Sequence, residues 1–144
     1  MILQKLENQA PFTTKDGSCI RSILDSSNAP VANQSLAEAR LAAGLSTQRH
    51  FHRLSEEIYF ILEGEGTQEV HGQVRHVEPG DAILIPPGAW HQITAITDLR
   101  FLCCCSQALW LAAFPQRRLL ILVHTHLDTL ISSDEFPQDV RGDI

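Results

Sequence analysis

Between residues 44 and 91 the chain is cut by glycine and proline into short apolar runs, a pattern that fits a sheet of short antiparallel strands better than helices. Four polar side chains occupy fixed places in that punctuation. His50 and His52 lie two apart, so on an extended chain both imidazoles leave from the same face. Glu57 opens the run Glu57-Ile-Tyr-Phe-Ile-Leu62, whose β-branched and aromatic content predicts a strand. His91 follows Pro86-Pro-Gly-Ala-Trp and precedes another short apolar run. Three imidazoles and a carboxylate make a ligand set for a first-row divalent ion, with positions left open for water or substrate.

Nitrogen donors of this kind suit Mn, Fe, Co, Ni or Zn rather than Ca or Mg, whose sites are built of oxygen. A divalent ion held by three neutral rings and one carboxylate keeps a single positive charge. An octahedral ion so held has two neighbouring open positions, enough to chelate an anionic or enediolate-like molecule, or to take a substrate together with dioxygen. The set does not choose the metal, because affinity rises generically along the series toward copper. Iron or manganese suits redox work, and zinc or nickel suits Lewis-acid work.

The two pieces resemble the paired motifs of the cupin superfamily, G-x5-H-x-H-x4-E-x6-G and G-x5-P-x-G-x2-H. Gly44, His50, His52, Glu57 and Gly64 match the first; Gly80, Pro86, Gly88 and His91 match the second. The asparagine usual four residues further on is Ala95 here. The spacer over 65–79 is short, as in small single-domain microbial cupins, and a small chain of this kind is similar to the cupin portion of mannose-6-phosphate isomerases. The resemblance implies an all-β fold, an antiparallel jelly-roll barrel over 16–105, between an N-terminal segment over 1–15 and a C-terminal extension over 106–144. It also implies one divalent transition metal per chain (Fe, Mn, Ni or Zn) on His50, His52, Glu57 and His91, and a homodimer.

Along the chain, Pro11-Phe-Thr-Thr is a candidate edge strand, and Ser18 to Leu24 has strand character after the Asp16-Gly17 turn signal. Asp25-Ser-Ser-Asn-Ala-Pro30 is loop chemistry. The stretch over 35–43 has the Ala, Leu, Glu and Arg content of a helix; the resemblance places a strand there, ended by Gly44. Residues 64–77 read as a hairpin turning at His71-Gly72, with Val70, Val74 and Val77 on half-buried arms. Ala82 to Ile85 reads as a buried strand, and 91–97 and 99–105 complete a regular series of short strands. Beyond Ser106, residues 107–114 read as an apolar helix stopped by Pro115, and 117–132 as a second helix or a strand, ending in a polar tail.

At 144 residues the chain has the length of one domain that buries about two-thirds of its unfolded surface. A net charge of −6 and the lack of a basic run argue against nucleic acid as a partner. No signal-like start or bilayer-length apolar stretch is evident, which sets the expectation of a cytoplasmic protein acting away from membranes. Cys103, Cys104 and Cys105 are consecutive; on a strand Cys103 and Cys105 share a face about 6.6 Å apart, poor disulfide geometry, so small apolar strand residues are the favoured reading.

Alternation along the run from Glu57 puts Tyr59 and Ile61 on the inner face, where Tyr59 is a candidate to offer a hydroxyl or act as a base. Gln48 shares the parity of His50 and His52 and is a candidate ligand-binding residue. Trp90 is a candidate pocket wall. Packing without chemistry is the simpler reading for all three. Glu56 should face outward, and His71 and His76 should lie at the surface. His124-Thr-His126-Leu-Asp128 would cluster on a strand but lacks flanking glycines and a later histidine.

The expected function is a small metal-dependent cupin enzyme acting on a small polar or anionic molecule. Its chemistry would be that of a dioxygenase-like oxidoreductase, or of a Lewis-acid isomerase, lyase or decarboxylase on a sugar phosphate or keto acid. The alternative is a module that binds or senses a small ligand, such as a sugar, without turning it over; no helix-turn-helix accompanies it. A storage role ranks below both.

Overall fold

The computed structural model describes residues 1–106; the readings made above on 107–144, including His124, His126 and Asp128, lie outside the described residues. Among the described residues one 3₁₀ turn, Leu6–Asn8, precedes nine strands. These are β1 Phe12–Thr13, β2 Cys19–Leu24, β3 Gln34–Leu41, β4 Glu57–Glu63, β5 Gly66–Val70, β6 Gln73–Val77, β7 Ala82–Ile85, β8 His91–Ala95 and β9 Leu99–Ser106. Every pairing is antiparallel. One sheet runs β1-β2-β3-β9-β4-β7 and the other β6-β5-β8. The chain before β4 lies along β8 through isolated bridges, Ser46 to Thr94 and His50 to His91, and so widens the smaller sheet.

Strand alternation decides what faces inward. On β4, Glu57, Tyr59 and Ile61 are buried while Ile58 and Phe60 are exposed. On β9, Leu99, Phe101, Cys103 and Cys105 are buried, and the residues between them are only partly so. The inner faces of the two sheets meet in a core of Ile20, Ala37, Ala39, Leu41, Tyr59, Ile61, Val77, Ile85, Ile93, Leu99 and Phe101. Each large aliphatic or aromatic chain among them contributes about 1.5–3 kcal/mol by leaving water.

The helix-like composition over 35–43 is overridden by this packing. Ala37 and Ala39 of β3 lie opposite Cys103 and Phe101 of β9, where small side chains leave room for the Phe101 ring. Glu38, between them, is 1% exposed and takes ion pairs from Arg21, Arg40 and Arg100 at 3.6, 2.8 and 3.1 Å. Burial pushes its carboxyl up, and the hydrogen bonds and charges of Arg40 and Arg100 bring it below its ordinary value.

The β5–β6 hairpin turns at His71-Gly72, both at positive φ (51° and 80°), the geometry of a type I′ turn. Its register pairs Gly66 with Val77 and Glu69 with Val74. Val74 therefore faces solvent at 62% exposure while Val77 is buried, because two residues three apart on a strand cannot share a face. The strand β7 is an edge strand rather than a buried one: Ile85 is buried, but Leu84 is 55% exposed on the outer face.

Candidate metal centre

His50 and His91 come from the two halves of the motif and are fastened to each other by main-chain bonds. The His50 amide donates to the His91 carbonyl at 3.1 Å, and the His91 amide donates to the His50 carbonyl at 2.8 Å. His52 is anchored similarly, its carbonyl accepting the Gly88 amide of the Pro-Pro-Gly turn at 2.7 Å. Glu57 enters from the facing sheet as the first residue of β4. Together these four put one donor atom each within 4.8 Å of one another, and all four residues are buried.

The rings are held in one orientation. Nδ1 of His50 lies 2.7 Å from the Gln48 carbonyl, and Nδ1 of His91 lies 2.9 Å from the Ala89 carbonyl. A carbonyl only accepts, so each Nδ1 carries the hydrogen and each Nε2 keeps its lone pair for something else. That is the arrangement in which a protein presents imidazole to a metal. Nε2 of His91 is fully buried and has no hydrogen-bond partner, and the Glu57 carboxylate lies 3.4 Å from it. An orphaned buried acceptor is rare because it costs about 1–3 kcal/mol, and a cation bound there would answer it. The donor set therefore fits a divalent transition ion.

Electrostatics point the same way. Burial pushes the Glu57 carboxyl up, but the His52 ring at 3.1 Å and the His91 ring bring it down to about 2. Glu57 is thus an anion ready to coordinate. Burial and the neighbouring His91 lower the pKa of His50, which favours the neutral ring a metal needs. Cys103 and Cys105 lie nearby, yet burial and the Glu57 charge raise both thiols, and a thiol kept protonated is a poor ligand.

His50, His52 and Glu57 line a small cavity whose wall also includes Tyr59, Phe101, Cys103, Ile20 and Ala39. Tyr59 is buried against Phe101, and burial together with Glu57 raises its phenol well above the ordinary value. The raised value keeps the hydroxyl hydrogen on Tyr59. Thr14, Asp16 and Ser18 line the same cavity and were not singled out from sequence. The only signal was polar residues at every second position around Gly17, which read as a turn.

Two other sequence candidates sit differently from expectation. Gln48 is exposed, and Thr47 is the buried residue, because the segment before His50 is bridged to β8 at isolated points and does not alternate like a strand. Its carbonyl orients the His50 ring and its amide donates to the Asp16 carbonyl at 2.6 Å. Trp90 is 37% exposed, packed on Phe51 and beneath the Arg49 guanidinium, and is absent from the cavity wall. Glu56, His71 and His76 are exposed, as alternation and turn chemistry indicate.

A family described as "Cupin domain" matches residues 37–105. An uncharacterised protein of Methanocaldococcus jannaschii, MJ1618, is 45% identical over 96 residues, which is 65% of this chain and 77% of the relative. The oxalate-binding protein of Thermotoga maritima is 38% identical over 68 residues, 46% of this chain and 56% of its own length. Among solved structures, one described as a predicted oxalate decarboxylase from Thermotoga maritima has a TM-score of 0.65 at 24% identity, covering 73% of this chain and 98% of that one. That last likeness speaks to fold alone. With the paired motifs, the two facing antiparallel sheets and these matches in agreement, the chain belongs to the cupin superfamily.

Proposed function

We propose that His50, His52, Glu57 and His91 hold one divalent transition ion per chain, and that the chain is a metalloenzyme acting on a small polar or anionic molecule bound beside it. The observation that carries this is the unpartnered Nε2 of the fully buried His91, aimed with two other imidazoles at an ionised carboxylate. Such an ion supplies Lewis acidity, or dioxygen chemistry if it is redox-active. The chain's own residues orient the ligand: Tyr59 donates its hydroxyl, while the aliphatic wall excludes water. Dioxygenase-like oxidation and isomerase or lyase chemistry both suit this arrangement.

A second reading, binding without turnover, is favoured by the likeness to a protein named for binding oxalate. We assign the protein to the cytoplasm as a homodimer, in keeping with the apolar outer face of the six-stranded sheet. There Ile58, Phe60 and Leu84 are 40%, 40% and 55% exposed and adjacent through the β4–β7 register.

Elemental analysis of purified protein tests the centre. About one transition metal per chain is expected, with the content falling sharply in His50→Ala and His91→Ala; undiminished metal in both variants refutes the assignment. Oxygen uptake and product formation with thiols, diketones and sugar phosphates then separate the enzyme from the binding module.

A further inference from the structure

The cavity's second polar wall is built to leave one carboxylate oxygen free. Asp16 is only 8% exposed. Its Oδ1 accepts hydrogen bonds from the Thr14 hydroxyl, from the Ser18 amide at 3.1 Å and from the Ser18 hydroxyl at 2.8 Å. The Thr14 and Ser18 hydroxyls are themselves 2.8 Å apart, and the Asp16 carbonyl takes the Gln48 amide at 2.6 Å. Main chain and side chain are thus fixed from both sides. Among the described residues Oδ2 accepts no hydrogen bond, although it belongs to a side chain lining the same cavity as His50, His52 and Glu57. Oδ2 is not among the fully buried atoms that lack a partner, so it keeps room for a donor, and a donor entering from the cavity is the ligand.

We propose that Asp16 selects the ligand of this centre: its free oxygen accepts a hydroxyl hydrogen, so the site takes an α-hydroxy acid or an enediol in preference to a dianionic dicarboxylate. The inference rests on the metal-centre reading and narrows its substrate class. The charges argue for it. A divalent ion and the Glu57 anion leave one positive charge, and the formal charge of a second carboxylate cancels it. A dicarboxylate dianion such as oxalate brings two further negative charges and no hydrogen to share, so it meets Asp16 only with repulsion. In a confined cavity such repulsion is weakly screened. A hydroxy acid or enediol coordinates through the same pair of oxygens and turns a hydroxyl toward Oδ2. A site built to hydrogen-bond a ligand hydroxyl rejects analogues lacking that hydrogen more strongly than it rejects a change of size.

The test is calorimetric titration of the metal-loaded full chain with glycolate and with oxalate, with metal content measured on the same samples. Wild type is expected to bind glycolate more tightly than oxalate. Asp16→Asn, which keeps the shape but removes the charge, is expected to move the affinity ratio about tenfold or more toward oxalate. A purely structural role for Asp16 would lower the melting temperature and leave that ratio alone. Tighter binding of oxalate by wild type overturns the proposal even if the variant does not fold. So does an unchanged ratio in a folded Asp16→Asn, or failure of either acid to bind the loaded chain. A wild-type chain that takes up no metal instead refutes the centre itself.

Discussion

Replacing Gly64 with alanine isolates how tightly the end of β4 is built against the turn before β9. Gly64 sits at φ +82°, and a Cβ there would lie 2.0 Å from the Asp98 carbonyl oxygen, 2.9 Å from its carbon and 3.0 Å from the Thr97 hydroxyl. The obstacle is main chain, so no side-chain rotation relieves it. Gly80 supplies the control: its φ is +98°, and nothing lies within 4 Å of the corresponding position. Both substitutions carry a left-handed penalty of about 1–2 kcal/mol. Only Gly64→Ala adds the overpacking term of about 1–3 kcal/mol. The double penalty, about 2–5 kcal/mol, is a large part of the 5–15 kcal/mol expected for a whole domain. Urea unfolding followed by circular dichroism should show both variants with lowered midpoints at similar slope, Gly64→Ala lower by at least about 1 kcal/mol. Equal midpoints would refute the reasoning, since strain at positive φ would then be the whole effect.

Acid should weaken the metal-free protein, and both shifted site groups give the same sign. His50 is lowered from 6.5, so the unfolded chain binds its proton more readily and stability falls as pH drops below about 6.5. Glu57, brought from 4.5 to about 2, adds stability that is full above 4.5 and is lost as pH falls through 2. Thermal melts from pH 8 to 3 after chelation should be flat near neutrality and decline below; a melting temperature that rises between pH 7 and 5 would contradict this. Phe60→Asp on the outer face should convert the proposed dimer to monomer in sedimentation while leaving metal content unchanged. An unaltered dimer would remove that face from the interface.

Much of this arrangement was legible in the chain because strand alternation is a local rule. The order Glu57, Ile58, Tyr59, Phe60, Ile61 fixes which side chains enter the barrel once one of them is known to, and the structure follows it. The β3 strand was legible only through resemblance: its alanines favour a helix in isolation, and their fit opposite Phe101 and Cys103 is a tertiary fact. Gln48 was misplaced because parity was counted along a segment bridged to its neighbour at only two points. Asp16 was missed because local chemistry announces a turn at Asp16-Gly17. That the turn presents its carboxylate to histidines more than thirty positions away depends on how the β1–β2 hairpin lies over the cavity.

The reciprocal amide bonds between His50 and His91 carry one more consequence. The same ladder that builds the smaller sheet also spaces the donors, so an arriving ion finds its seat already assembled and has little chain to order. Uptake and folding are then separate events, unlike small zinc domains whose apo chains are unstructured. Stripping the ion should leave a standing, reloadable barrel, and what occupies it would follow from which ions the surroundings offer.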